Sequence, residues 1–162
     1  MEEYRLKIKN ISGHKRNIDR LKAEGKKIVF TNGCFDILHI GHARYLYSAK
    51  KLADYLIVAV NSDMSVKRLN KGKDRPIVQE DQRAELVAAL GCVDAVVIFD
   101  QDTPLKVIEH LMPDVLVKGG DWGENEIVGA DLVKTNGGKV ISLPYINGSS
   151  TTDIVEKIKG RE

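Results

Sequence analysis

Apolar residues are spaced along this chain in two alternating patterns. Short runs rich in β-branched and aromatic residues, bounded by turn-forming residues, are typical of buried strands. Longer blocks with apolar residues three and four positions apart are typical of helices that bury one face. The pattern predicts five strands, at residues 27–31, 55–60, 94–99, 115–118 and 140–143.

Helices are predicted over residues 14–24, 43–53, 79–90, 103–111 and 150–159, with a short helix after Asn61 and a loop followed by a helix over residues 123–135. Strands that alternate with helices indicate βαβ units and a mostly parallel sheet. The strands are almost continuously apolar, which is typical of a sheet covered on both faces. We therefore predict an α/β fold of three layers around a mostly parallel, five-stranded sheet.

The length of 162 residues favours one domain. We expect residues 1–25 to form an N-terminal helical extension and residues 26–162 to form the main domain. The net charge of +2 is too close to balance to indicate a nucleic-acid partner. No signal peptide and no apolar run near the roughly 20 residues of a membrane span are visible, so we expect a cytoplasmic protein without membrane association. Cys34 and Cys92 fit no metal-binding spacing and are expected to be reduced thiols.

The candidate chemistry lies in the loops that follow the predicted strands. In open parallel sheets, ligands bind beyond the carboxyl ends of the strands, at the switch in strand order. This rule directs attention to the loops after Thr31, Val60, Phe99, Val117 and Leu143.

The first of these loops carries two histidines, His39 and His42, with Gly41 between them. If a helix begins near Gly41, its unpaired N–H groups attract phosphate, and glycine lets the phosphate approach the backbone. The histidines could then donate hydrogen bonds to oxygens that gain negative charge during a reaction. Two alternatives are ordinary histidines at a helix start and a zinc site, for which Asp36 is the only nearby further ligand.

The sequence GCFDILHIGH at residues 33–42 resembles the opening signature of the cytidylyltransferase-like nucleotidyltransferases. The resemblance implies a Rossmann-like fold and a catalytic role for His39 and His42, which would bind the triphosphate and stabilise the transferred α-phosphate. Class I aminoacyl-tRNA synthetases share the His-x-Gly-His signature, but the length of 162 residues argues against a synthetase.

A second stretch of resemblance, residues 145–153, precedes the last predicted helix. There Ser150, Thr151 and Thr152 would cradle the outer phosphates of the nucleotide. Ser150 and Asp153 also fit a capping box, and the two roles are compatible. Some relatives carry an arginine upstream of these hydroxyls, and this chain has none there, so the positive charge must come from elsewhere.

Basic residues are concentrated in and beside the loop after the second strand, at Lys67, Arg68, Lys71, Lys73 and Arg75. Most of them fit a solvated basic loop, but in related enzymes a lysine of this loop closes over the triphosphate. Lys71 is our first choice for this catalytic lysine and Lys73 is the second. Arg83 on the following helix resembles the family's phosphate-contacting arginine, with an exposed helix charge as the alternative.

The loop after the fourth strand contains adjacent glycines, which let a ligand approach the backbone, and the only tryptophan, Trp122. A base or sugar could pack beside Trp122, which could instead belong to the core or a lid. By resemblance, nucleotide binding is assigned to Gly33, Cys34, Phe35, Gly41, Arg83, Lys118, Gly119, Ser150, Thr151 and Thr152. Binding of the phosphorylated acceptor is assigned to Asn61, Asp63, Asp121, Trp122 and Asp36. Of these, Asp36 could instead orient the histidine motif.

Within the family, the pattern most resembles the D-glycero-β-D-manno-heptose 1-phosphate adenylyltransferases, on residues 59–63, 74–78, 102–104, 117–121 and 150–152. The implied reaction converts ATP and heptose 1-phosphate to pyrophosphate and ADP-heptose, a precursor of lipopolysaccharide or surface glycans. The resemblance also implies Mg²⁺ bound mainly through the ATP phosphates. A separate heptose kinase is expected upstream, because the chain has no room for one, and a homodimer is expected for a small enzyme of this type.

Three other functions stay open at this point. A CTP-dependent cytidylyltransferase acting on glycerol 3-phosphate or a similar alcohol phosphate would use the same loops. A flavin nucleotide-forming adenylyltransferase would share the fold. A non-catalytic nucleotide-binding module would not need the second histidine of the motif.

Overall fold

A five-stranded parallel sheet forms the centre of the protein. The computed structural model describes residues 2–70, 72, 74–120, 122–144 and 150–160. The strands are β1 (Ile28–Gly33), β2 (Tyr55–Asn61), β3 (Ala95–Phe99), β4 (Val115–Gly119) and β5 (Lys139–Leu143), in the spatial order β3-β2-β1-β4-β5. The predicted α/β class is confirmed, and each described strand pair is parallel.

The helices are α1 (Ile11–Ala23), α2 (Ile40–Lys50), α3 (Asp63–Arg68), α4 (Glu80–Ala89), α5 (Leu105–Leu111), α6 (Ala130–Thr135) and α7 (Thr151–Ile158), with 3₁₀ turns at Glu3–Lys7 and Glu124–Glu126. Helices α1 and α2 begin three residues earlier than the apolar spacing predicted. The reason is local, because side chains of Asn10 and His39 accept backbone N–H groups and cap the two helices.

The sheet is covered on both faces, because alternate residues of each strand point to opposite sides. Ile28 and Phe30 of β1 join a core with residues of α1, α5 and α6. Val29, between them, joins a second core with residues of α2 and α4. This arrangement gives the three predicted layers.

The N-terminal segment packs along the edge strand β3. Ile8 forms a parallel bridge with Val96, and the buried His14 ring donates from Nε2 to the Val96 carbonyl at 2.7 Å. Ile18 of α1 has no exposed surface and belongs to the same core as Ile28 and Phe30. The division into an extension over residues 1–25 and a main domain over residues 26–162 stays a prediction.

The strand order places the topological switch point of the sheet between β1 and β4. From β1 the chain proceeds outward through β2 and β3, then returns to place β4 on the other side of β1. The loops after β1 and β4 therefore diverge, and ligands bind at such switch points. None of the helices in the described ranges has the length and apolarity needed to cross a membrane.

Candidate active site

Two histidines form the start of helix α2. The His39 N–H donates to Nδ1 of His42 at 3.4 Å, and the Gly41 N–H donates to Nδ1 of His39 at 3.1 Å. These bonds are an imidazole version of a capping box. The two rings stack with their centroids 3.9 Å apart and an interplanar angle of 29°.

The capping bonds determine which ring nitrogen carries the proton. A nitrogen that accepts a hydrogen bond is unprotonated, so each of these imidazoles carries its proton on Nε2. Burial lowers the pKa of His39 below its ordinary value, which favours the same neutral form. The start of α2 therefore combines two imidazoles protonated on Nε2 with the partial positive charge of a helix N-terminus.

The backbone before the histidines has an unusual conformation. Phe35 and Ile37 have left-handed φ values of 51° and 54°, which cost on the order of 1–3 kcal/mol each for residues with a β-carbon. The Phe35 ring is buried, lies 5.3 Å from the His42 ring, and occupies the space that a side chain at Gly33 would need. A β-carbon on Gly33 would lie 3.0 Å from Phe35 Cε2, so a side chain there would require the buried ring to shift.

Asp36 lies between these two left-handed residues and holds the loop. Its carboxylate is fully buried and accepts from Arg75 Nε at 2.5 Å, from the Ile77 N–H at 2.9 Å and from the Val78 N–H at 2.9 Å. Burial alone would raise the pKa of the carboxyl, but these bonds outweigh it and lower the pKa below its ordinary value. Both oxygens are committed to protein partners, which supports the orienting role and not the acceptor or zinc contact.

Arg83 makes the complementary connection from helix α4. Its guanidinium has no exposed surface and donates to the carbonyls of Val78 at 2.8 Å and Cys34 at 2.5 Å, and to Asp63 Oδ1 at 2.8 Å. The alternative of an exposed helix charge is wrong. A direct phosphate contact also needs a surface that this side chain does not have, so in this structure Arg83 positions the loop of the histidine motif.

The start of helix α7 is hydrogen-bonded to the same loop. The Thr151 hydroxyl donates to the Asp36 carbonyl at 2.7 Å, and Ser150 caps the helix by accepting the Asp153 N–H at 3.0 Å. Thr152 is exposed in the first turn of α7. The structure thus brings Thr151, from the second stretch of resemblance, into contact with the loop of the first.

Asn61 and Asp63, predicted to face the acceptor, are engaged within the protein. Asn61 is buried and its amide donates to Ser65 Oγ at 3.0 Å, while its Oδ1 lies 4.0 Å from Cys34 Sγ. Asp63 accepts from Arg83 at 2.8 Å. These contacts fix the loop after β2 against the loop after β1.

Sequence reasoning missed Tyr45, which connects strands β1 and β4 from helix α2. Its hydroxyl shares a 2.6 Å hydrogen bond with the buried Thr31, and a β-carbon on Gly119 would lie 3.3 Å from its ring. The available signal was its position three residues after His42, on the same face of a helix. The Trp122 ring remains 46% exposed while its Nε1 donates to the Gly119 carbonyl at 3.1 Å, so its surface can meet a ligand.

Several predicted residues lie outside the described residues: Lys71, Lys73, Asp121 and the stretch 145–149. Lys118 is half-buried at the end of β4. Among the residues that are described, no group of three histidine, cysteine or acidic side chains is arranged to hold a metal ion. Cys34 and Cys92 are free thiols, as predicted.

Comparison with known proteins identifies the family. A family model described as cytidylyltransferase-like matches residues 30–157. This chain belongs to the cytidylyltransferase-like family. The match includes the histidine motif and the first turn of α7, and it confirms the predicted class of enzyme, a nucleotidyltransferase.

The curated relatives are longer than this chain. The "Bifunctional protein HldE" of Geobacter metallireducens is 55% identical over 152 residues, which are 94% of this chain and 31% of the relative. Its counterpart from Citrifermentans bemidjiense is 53% identical over the same shares. The chain therefore spans about a third of the length of these relatives.

Solved structures support the fold. A lipopolysaccharide core biosynthesis protein from Thermoplasma volcanium superposes with a TM-score of 0.61 and 31% identity, covering 77% of this chain and 100% of that one. A pantoate-β-alanine ligase from Francisella tularensis, complexed with a form of ATP and β-alanine, has a TM-score of 0.60 over 94% of this chain and 76% of its own. At 19% identity, the second likeness shows the fold alone.

Proposed function

We propose that this protein transfers AMP from ATP to D-glycero-β-D-manno-heptose 1-phosphate, which gives ADP-heptose and pyrophosphate. The observation that supports nucleotidyl transfer is the paired histidine cap at the start of α2, which follows β1 at the switch point of the sheet. The heptose acceptor is supported by the five stretches of resemblance and by the similarity to HldE proteins and to a lipopolysaccharide core biosynthesis protein.

The proposed reaction is an in-line displacement at the α-phosphorus. A phosphate oxygen of the sugar forms the new bond to phosphorus as the bond to the bridging oxygen of pyrophosphate breaks. The attacking oxygen is already anionic, so no general base and no protein nucleophile are needed. Catalysis then depends on positioning and on charge stabilisation. His39 and His42 would donate to oxygens of the α- and β-phosphates, where negative charge increases.

The remaining groups bind or orient. Ser150, Thr151 and Thr152, with the N–H groups of α7, would meet the outer phosphates. Trp122 and Lys118, at the end of β4, would face the base or the sugar. Asp36 and Arg83 would hold the histidine loop in place without contacting substrate. Lys71 is proposed to close over the triphosphate.

Mg²⁺ fits this site as an ion that would bind together with the nucleotide, through its phosphates. Asp36, the carboxylate within the motif, has both oxygens engaged by protein donors, and Nδ1 of each histidine accepts a backbone N–H. Phosphate oxygens and waters would therefore be its ligands. When bound, the ion neutralises part of the triphosphate charge.

The biological setting is also a proposal. We place the enzyme in the cytoplasm, in the synthesis of ADP-heptose for lipopolysaccharide or surface glycans. A separate heptose kinase would supply the sugar 1-phosphate, and the active form would be a homodimer.

The direct test is pyrophosphate release by the purified protein with Mg²⁺. ATP and CTP are each combined with heptose 1-phosphate, glycerol 3-phosphate or FMN. We expect release only with ATP and heptose 1-phosphate. Release with CTP and glycerol 3-phosphate would keep the site and mechanism and replace the substrates. Nucleotide binding without turnover on any acceptor would favour a binding module.

A further inference from the structure

The positive charges at the carboxyl edge of the sheet differ in how much hydrogen-bonding capacity they have left. Arg83 is buried and uses Nε, Nη1 and Nη2 on protein acceptors. Arg68 pairs with Asp100 and Asp102. A triphosphate needs cationic donors that are fixed in place and not already consumed.

Arg75 has this property among the described residues. Its side chain is only 12% exposed, and its single described hydrogen bond runs from Nε to Asp36 Oδ2 at 2.5 Å. Asp36 already accepts the N–H groups of Ile77 and Val78, so it takes one N–H of the guanidinium and not a bidentate pair. No described residue accepts from Nη1 or Nη2, so these groups can donate to a second anion, in a plane that the buried carboxylate fixes.

The contacts of neighbouring residues locate this guanidinium. The Asp36 carbonyl accepts the Thr151 hydroxyl at 2.7 Å, so the residue that binds Arg75 also contacts the first turn of α7. Asp74 lies 3.5 Å from Lys159, just beyond the other end of α7. Asp74 and Arg75 are therefore connected to opposite ends of α7, Asp74 through Lys159 and Arg75 through Asp36. His39 follows Asp36 by three residues in the same loop.

We propose that Arg75 is a phosphate-binding residue whose Nη groups receive a phosphate of the substrates, while its bond to Asp36 fixes the guanidinium between the histidine motif and α7. The phosphate belongs either to the outer part of the nucleotide or to the sugar 1-phosphate, and both present the same oxygens. This assignment rests on the proposed function and adds a residue to it.

The test is calorimetric binding of four probes to the Arg75→Gln and Arg75→Lys proteins. Inorganic pyrophosphate with Mg²⁺ represents the outer phosphates, heptose 1-phosphate represents the acceptor, ATP contains all nucleotide phosphates, and AMP lacks the outer ones. We expect Arg75→Gln to weaken pyrophosphate or heptose 1-phosphate binding on the order of 10- to 100-fold, with AMP affinity changed less than about twofold. Arg75→Lys keeps the charge without the fork and should recover only part of the loss.

The matched control is Arg16→Gln, which removes the same charge from an exposed position on α1. It should leave each affinity unchanged. The proposal is overturned if Arg75→Gln leaves pyrophosphate and heptose 1-phosphate affinities within twofold of the parent. It is also overturned if AMP affinity and thermal stability fall together with them, since that result defines a structural role. A parent protein that binds none of the nucleotides would instead contradict the proposed function.

Discussion

Aspartates accept backbone N–H groups at both the amino and the carboxyl edge of the sheet, but they support different structures there. At the amino edge, Asp54, Asp94 and Asp114 each directly precede a strand and accept backbone N–H groups of Lys27, Leu56 and Ile28, at 2.8, 2.7 and 2.9 Å. Lys50 and Lys27 then pair with Asp94 and Asp114. Each of these backbone N–H groups is therefore satisfied by an aspartate that precedes a neighbouring strand.

At the carboxyl edge, the same kind of bond supports a loop. Asp36 again accepts backbone N–H groups, but it does so within a loop that contains two left-handed residues and ends at the histidine pair. The loop is held by a buried anion and a buried cation, Asp36 and Arg83, which both connect it to the segment that contains Val78. The two buried charges support the loop that ends at the histidines, and Nε2 of His39 has no hydrogen-bond partner among the described residues. The comparison predicts that amino-edge variants lose stability and keep activity, and that carboxyl-edge variants lose activity.

The largest expected effect is on turnover, at the histidines. Replacing His39 or His42 by alanine should lower kcat on the order of 10²- to 10³-fold, because each removes a donor to oxygens that gain charge. Steady-state pyrophosphate release measures this. His39 also caps α2, so the His39→Asn variant separates the loss of the cap from the loss of the catalytic donor. Asparagine can restore the cap without restoring the Nε2 donor. We expect Tm to recover in that variant and kcat to stay low. Near-normal turnover in both alanine variants would exclude the catalytic role.

Arg83→Met should affect both properties. The change leaves the Cys34 and Val78 carbonyls without their donor, and we expect a loss of about 3 kcal/mol in the free energy of unfolding, measured by urea denaturation. Because these carbonyls belong to the segments that Asp36 joins, kcat should fall as well. Arg83→Lys cannot make three bonds in fixed directions and should resemble the methionine variant. A stable but inactive Arg83→Met protein would indicate a direct role in catalysis and contradict the positioning role.

How far the sequence could predict this molecule differs between the same two regions. The strands followed from apolar runs such as residues 55–60, because burial on both faces leaves few other interpretations. The histidine motif was recognised because its residues are contiguous. The bonds of Asp36 to Ile77, and of Thr151 to the Asp36 carbonyl, join residues more than 40 or 100 positions apart, and no local pattern encodes them.

Helix starts and charged side chains gave the larger errors. A histidine is not among the usual capping residues, so the start of α2 at Ile40 was predicted at residue 43. Resemblance assigned Arg83 to a phosphate contact, with an exposed helix charge as the alternative, whereas the fold buries its side chain and bonds it to the Cys34 and Val78 carbonyls. The aspartates that precede β2, β3 and β4 were a visible signal at the amino edge that the apolar pattern did not use.

Asp114→Ala tests the amino edge with a smaller expected effect. The change removes the acceptor of the Ile28 N–H and the partner of Lys27, which should cost about 1–3 kcal/mol of unfolding free energy. The kcat for the proposed reaction should stay within about twofold of the parent, because the residue lies at the edge opposite the histidines. A large loss of kcat without a loss of stability would break the comparison between the edges.

The smallest effect concerns pH, at a histidine that has no part in the active site. Burial, opposed by the bond to Val96 and assisted by Lys9, lowers the pKa of His14 below its ordinary 6.5. The unfolded chain therefore binds a proton that the folded protein resists, so this contribution to stability is complete above about pH 6.5 and decreases as the pH falls toward the folded pKa. The pKa of His39, at the carboxyl edge, is lowered in the same direction. Each unit of lowering corresponds to about 1.4 kcal/mol. In His14→Gln, which can still donate to Val96, the decrease of Tm between pH 7 and pH 5 should be shallower than in the parent. If the decrease of Tm is unchanged, His39 or the carboxylates account for the pH dependence. Measuring Tm between pH 7 and pH 5 in His39→Asn would then separate the contribution of His39 from that of the carboxylates.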